Sequence, residues 1–201
     1  MSGDWQGYRE RYVENRAMRR SVEVLKRKGW RWLASEGCCF TQAIMVSPCG
    51  QYVAKMVKLG NRDGWPKFIK WAHSEGAKLE HGARHLPRVY TVREFGGACI
   101  AIMERLHPLT HHDGGWCVEP LSGCPAPMRR IVTLAGLISQ FSDKRVFTLS
   151  PRIVGGLREA VHAMSAALGH PKDLHGSNMM VRRGPRGGVE TLVLIDPYGY
   201  V

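Results

Sequence analysis

Long apolar runs are missing from this 201-residue sequence. Stretches such as Ala98–Met103 and Thr191–Ile195 fall far short of the roughly 20 residues that a membrane-spanning helix requires. The opening segment, MSGDWQGYRERYVENR, carries no apolar core of the secretory-signal type. A disulfide framework is missing too: Cys38, Cys39, Cys49, Cys99, Cys117 and Cys124 are scattered, and adjacent Cys38 and Cys39 have poor geometry for a bridge. Zinc-type spacing is absent as well. His111, His112, Cys117 and Cys124 lie close in sequence, but the two cysteines are seven positions apart, without the tight ligand pair of structural zinc sites. Reduced cysteines beside surface histidines are therefore expected. These absences exclude membrane-spanning and disulfide-stapled classes and predict a soluble protein of the cytoplasm, with no membrane partner.

Acidic residues are the minority charge: 17 Asp+Glu against 29 Lys+Arg leave a net charge of +12. Such an excess suits a polyanionic partner, whether nucleic acid, a phosphate-bearing substrate or an acidic protein, and equally suits a solvated basic surface. With 44% hydrophobic and 23% charged residues the chain can fill a core. Its length predicts one domain or a two-lobed build.

Residues 5–34 read as one amphipathic helix, with Tyr8, Tyr12, Ala17, Val22, Leu25 and Trp30 as an imperfect apolar stripe among many arginines and lysines. This basic arm is the segment best suited to touch nucleic acid, a partner not favoured because helix-turn-helix and zinc-finger patterns are lacking. Two strand-like runs follow, FTQAIMV (40–46) and QYVAKMVKL (51–59), joined by Ser47-Pro48-Cys49-Gly50. Pro66 then marks a helix start, with Phe68, Ile69, Ala72 and Leu79 at helical spacing and Gly76 interrupting or capping. LPRVYTVREF (86–95) and ACIAIMERL (98–106) predict a second strand pair around Gly96-Gly97. Residues 107–126 read as irregular loop. Helices are expected over Pro127–Phe141 and over Pro151–Leu168, the latter with Ile153, Leu157, Val161, Met164 and Leu168 inward. DLHGSNMMV (173–181), a basic turn RRGPRGG (182–188) and TLVLIDPYG (191–199) close the chain.

Asp173 and Asn178 stand five apart before one apolar run, and Asp196 ends the next. Such a set suits phosphoryl transfer. One carboxylate orients or deprotonates an attacking hydroxyl, while an amide oxygen and a second carboxylate hold Mg²⁺ on nucleotide phosphates. Two short strands joined by a tight turn bring Asn178 and Asp196 to the same end of a hairpin. Lys55, on the earlier hairpin, supplies positive charge for the phosphates.

At these residues the chain resembles the protein-kinase superfamily. DLHGSN keeps the Asp-to-Asn spacing of the H-R-D-x-x-x-x-N catalytic loop, and Val53-Ala54-Lys55 resembles the strand lysine of V-A-I-K. DPYG matches the metal-binding D-F-G at the Asp, with Gly199 one residue later. Within that superfamily it is similar to the early-expressed Ser/Thr protein kinases of short-tailed lytic bacteriophages, through FTQAI (40–44), LPRVYTV (86–92), DLHGSNMMV (173–181) and LIDP (194–197). The resemblance covers roughly residues 33–199. It implies an α+β, minimal protein-kinase-like fold: a basic helical arm over 1–34, a small antiparallel β N-lobe with one helix over 35–106, and a truncated helical C-lobe over 107–201.

The resemblance further implies ATP and Mg²⁺ as cofactors, host proteins as substrates or targets, Asp173 as the catalytic carboxylate, and Asn178 and Asp196 as Mg²⁺ ligands. Lys55 would meet the nucleotide phosphates, His175 would stand beside the transferred phosphate, and Gly37 would belong to the phosphate-covering loop. Glu75, with Glu80 second, is the candidate partner for the strand lysine. The pattern departs in EGCCF (36–40), where Cys38 replaces a second glycine. The sequence also stops five residues after Asp196, so an activation loop and substrate-docking helices are not expected. Two alternatives stay open beside the kinase: an inactive kinase-like protein that inhibits a host factor by contact, and a small-molecule phosphotransferase, which the DLH variant also resembles.

Overall fold

The computed structural model describes residues 15–33, 42–60, 64–107, 151–171, 174, 178–184 and 189–198. They form a mixed α+β protein with a five-stranded antiparallel sheet, a separate two-stranded hairpin and a few helices. They divide into two compact units, one within Met1–Arg62 and Arg88–Arg105, the other within Asp63–Pro87 and Leu106–Val201. The expected helix over 127–141 lies outside the described residues.

Asn15 opens the first helix, α1 (Arg16–Arg27). Its side-chain oxygen accepts the Ala17 and Met18 amides at 2.8 and 3.1 Å, satisfying two of the N–H groups that a helix start leaves open. Its Nδ2 donates to the carbonyls of Gly96 and Gly97 at 3.0 and 3.2 Å. At the other end Gly29 takes a φ of 78°. Trp30 N–H then donates to Leu25 O at 3.0 Å and Gly29 N–H to Lys26 O at 2.9 Å, the paired bonds of a Schellman stop. The expected helix through residue 34 is thus cut short, because glycine enters left-handed backbone where other residues resist it. Arg31–Trp32 becomes strand β1 instead.

β2 (Gln42–Val46) and β3 (Tyr52–Lys58) follow as expected, joined by the turn at 47–50, where Gly50 N–H donates to Ser47 O at 2.9 Å and Tyr52 N–H to Ser47 Oγ at 3.1 Å. β4 (Val89–Phe95) and β5 (Ala98–Glu104) pair around Gly96-Gly97, both at positive φ as tight hairpin turns demand. The sheet order is β1-β2-β3-β5-β4, which puts β3 in the middle and β4 at an edge.

Met18 and Val22 of α1 pack with Ala43, Met45, Met56 and Ala98 of the sheet in one buried cluster. The basic segment is therefore no free-standing arm: its apolar stripe closes one face of the sheet. Cross-strand partners share a face, and successive residues alternate. Met56 pairs with Ala43 and Ile100 on the α1 side, so Lys55, paired with Ile44 and Ala101, belongs to the opposite face.

In the second unit, α2 (Trp65–Ser74) starts with Pro66 in its first turn and buries Trp65, Phe68, Ile69, Trp71 and Ala72. Two 3₁₀ turns, Gly76–Lys78 and Gly82–His85, follow. α3 (Pro151–Leu168) spans the expected range and buries Leu157, Val161 and Met164. β6 (Met179–Arg183) and β7 (Val189–Leu194) form the hairpin. Residues 63–87 group here, whereas the sequence placed them with the sheet in one 35–106 lobe; their loop bonds to α3 and the hairpin explain the difference. Among the described residues no helix is long and apolar enough to cross a membrane.

Candidate functional site

The β6–β7 hairpin is buried on both faces: Met179, Val181, Leu192, Val193 and Leu194 are all buried, with Arg182 and Thr191 among them. Its register pairs Met179 with Leu194, and Ile195 N–H donates to Asn178 O at 2.9 Å. Asn178 and Asp196 therefore flank the same end of the hairpin, as the spacing predicts, and both are half-buried.

Three sets of bonds anchor the hairpin along its length. Beyond Asp196, the Tyr198 hydroxyl donates to Gly169 O at 2.6 Å and Met164 O at 3.2 Å, and Gly64 N–H donates to Tyr198 O at 2.9 Å. Burial pushes the Tyr198 phenol up to about 12, so it stays a donor throughout the neutral range. On the other strand, His107 and Val181 exchange backbone bonds of 3.0 and 2.8 Å. Behind the hairpin, the buried Arg182 guanidinium donates to Arg84 O at 2.6 Å and Leu86 O at 3.0 Å, and His85 Nδ1 meets Leu192 O at 2.9 Å.

The loop that receives these bonds is held from α3 as well. One carboxylate, Glu159, accepts the amides of Glu80, His81 and Gly82 at 3.1, 2.9 and 2.7 Å. Residues 80–86 thus join α3 to the hairpin through backbone groups alone on the loop side, apart from His85. Arg182 corrects an expectation: Arg182 and Arg183 belong to β6 rather than to a basic turn, and Arg182 is buried.

Lys55 lies half-buried in the central strand β3. Glu75 caps the end of α2 in solvent, where its carboxylate takes the Lys78 ammonium at 2.9 Å. Glu80 is also exposed, 3.6 Å from His81 Nε2. Asp173, His175 and Gly37 lie outside the described residues, as do His111, His112, Cys38, Cys39, Cys117 and Cys124. Leu174, between Asp173 and His175, is buried. Cys49 and Cys99 are free thiols, Cys49 exposed and Cys99 buried.

Among the described residues no group of three or more His, Cys, Asp or Glu is arranged to hold a metal. Asn178 and Asp196 offer two hard oxygen donors at one hairpin end, a donor set that suits Mg²⁺, which keeps several waters and takes only one or two carboxylates. Sequence reasoning missed Glu159, His85, Arg182 and Tyr198, whose main-chain partners lie far away in sequence. Compared with family models and with curated proteins, the chain matches none.

Proposed function

We propose that the chain is an ATP- and Mg²⁺-dependent phosphotransferase of the phage Ser/Thr protein kinase type, acting on host proteins and on itself. The observation that carries this reading is the juxtaposition of Asn178 and Asp196 by the Met179–Leu194 register. The order of elements supports it: a strand lysine, a helix, two strands, a long helix, then the hairpin. In this reading Asn178 and Asp196 hold Mg²⁺, which when bound offsets phosphate charge. Lys55 meets the nucleotide phosphates, Gly37 lets backbone approach them, and His175 stands beside the transferred group. The acceptor hydroxyl oxygen bonds to the γ-phosphorus, the bond to ADP breaks, and Asp173 takes the hydroxyl proton.

A second reading, a kinase-like inhibitor acting by contact, is favoured by Glu75, whose carboxylate is engaged by Lys78 in solvent. Incubation of the full chain with Mg²⁺ and γ-labelled ATP, with and without host lysate, separates the two. Label in the protein or in lysate proteins, falling roughly 100-fold or more in Asp173→Ala and Asp196→Ala, is the expected result. Label that persists unchanged in both variants refutes the site, and its absence from the wild type leaves the contact inhibitor.

A further inference from the structure

The proposed transfer site leaves α1 unexplained. Arg16, Arg19, Arg20, Lys26 and Arg27 are all exposed, Lys28 continues the series beyond the helix, and Glu23 is the one acid among them. At 3.6 residues per turn, Arg16, Arg20 and Arg27 fall within an arc of about 40°, and Arg19 and Lys26 flank it on one side. The row runs about 16 Å, on the side turned away from the buried Met18 and Val22.

At its start this placement works against the helix, whereas Lys26 and Arg27 in the last turn suit the dipole. The first turn holds arginines and no acid, although the dipole favours negative charge there. An external counter-charge accounts for what helix stability does not. A lipid surface is disfavoured as its source, because an interfacial helix inserts its apolar face, and here that face is already spent on Ala43, Met45, Met56 and Ala98.

The same side of the sheet adds two groups at its edge. Arg93 pairs with Ile100 and Phe95 with Ala98, both partners packing with α1, so Arg93 and Phe95 share that face. Both are exposed, Phe95 at 44%, a large ring to leave in water. Arginine forks suit phosphate oxygens, and a bare ring suits an unpaired base.

We infer that α1 and the adjoining edge of β4 bind single-stranded nucleic acid, phosphates along Arg16, Arg20 and Arg27 and a base on Phe95. The test is fluorescence anisotropy of labelled mixed-sequence 20-mers, DNA and RNA, titrated with the full chain from 25 to 200 mM salt. Wild-type affinity falls log-linearly with salt. Combined Arg16→Gln, Arg20→Gln and Arg27→Gln weakens binding at least tenfold and lowers the salt slope by about two. Phe95→Ala weakens it several-fold at unchanged slope. Circular dichroism and melting temperature, unchanged for these exposed sites, separate lost binding from lost folding. Three results overturn the inference: no salt-dependent binding by the wild type, equal binding by the triple variant, or competition by poly-glutamate as effective as by oligonucleotide at equal charge.

Discussion

His85 donates from Nδ1 to the Leu192 carbonyl at 2.9 Å, which ties a loop of the second unit to the middle of β7. A carbonyl only accepts, so the neutral ring carries its proton on Nδ1 and leaves Nε2 bare, buried and without a hydrogen-bond partner. Burial holds this histidine below its ordinary value; Arg84 and Arg182 push the same way, against the Leu192 bond and Glu159. The unfolded chain then takes up the proton first as pH falls. The stability His85 contributes is full above about pH 6.5 and is lost toward the lowered folded value. Melting temperature should drop between pH 7 and pH 5 more steeply in the wild type than in His85→Gln. Equal slopes would remove His85 as the source.

Gly155 and Gly156 are neighbours in α3 with opposite expected responses to alanine. A Cβ on Gly156 would come within 2.6 Å of His85 Nε2 and 3.0 Å of His81 O, whereas one on Gly155 meets nothing within 4 Å. Gly155→Ala should stabilise by about 0.5–1 kcal/mol through helix propensity, and Gly156→Ala should cost roughly 1–3 kcal/mol through overcrowding. Urea denaturation of the two variants decides; a stabilised Gly156→Ala would contradict the packing described here.

Arg182→Leu removes both donors from the Arg84 and Leu86 carbonyls. A loss of roughly 2–4 kcal/mol is expected in the same assay, since bonds to a charged group are replaced by carbonyls left bare. Arg182→Lys should recover only part of it, because one ammonium replaces a planar fork that reaches two acceptors.

Cys49 and Cys99 should react at different rates. The Ser47 hydroxyl, 3.2 Å from the Cys49 sulfur, and the Gln51 amide hold this exposed thiol below its ordinary value. Cys99 is fully buried between strands. Brief iodoacetamide treatment followed by peptide mass mapping should find Cys49 alkylated and Cys99 protected until denaturant is added. Equal labelling in native buffer would contradict the burial of Cys99.

Sequence reading located what repeats locally. Alternation and turn residues placed β2 through β5 within a few positions, Pro151–Leu168 was bounded correctly, and two apolar runs around a turn were enough to set Asn178 beside Asp196. It failed where distant groups decide. One glycine at 29 ended a helix whose composition ran on past it. Arg182 looked like turn composition because its partners, two main-chain carbonyls nearly 100 residues earlier, leave no mark in its neighbourhood. Glu159 was equally silent: backbone amides have no residue identity by which a carboxylate partner is recognised.

In β3, Lys55 and Met56 are adjacent in sequence and serve opposite faces of one sheet. A single-residue insertion or deletion within Tyr52–Lys58 would exchange them, driving an ammonium into the apolar layer beneath α1 and taking Met56 out of it. Over evolutionary time this strand is free to change its side chains by like-for-like replacement, while its length is frozen.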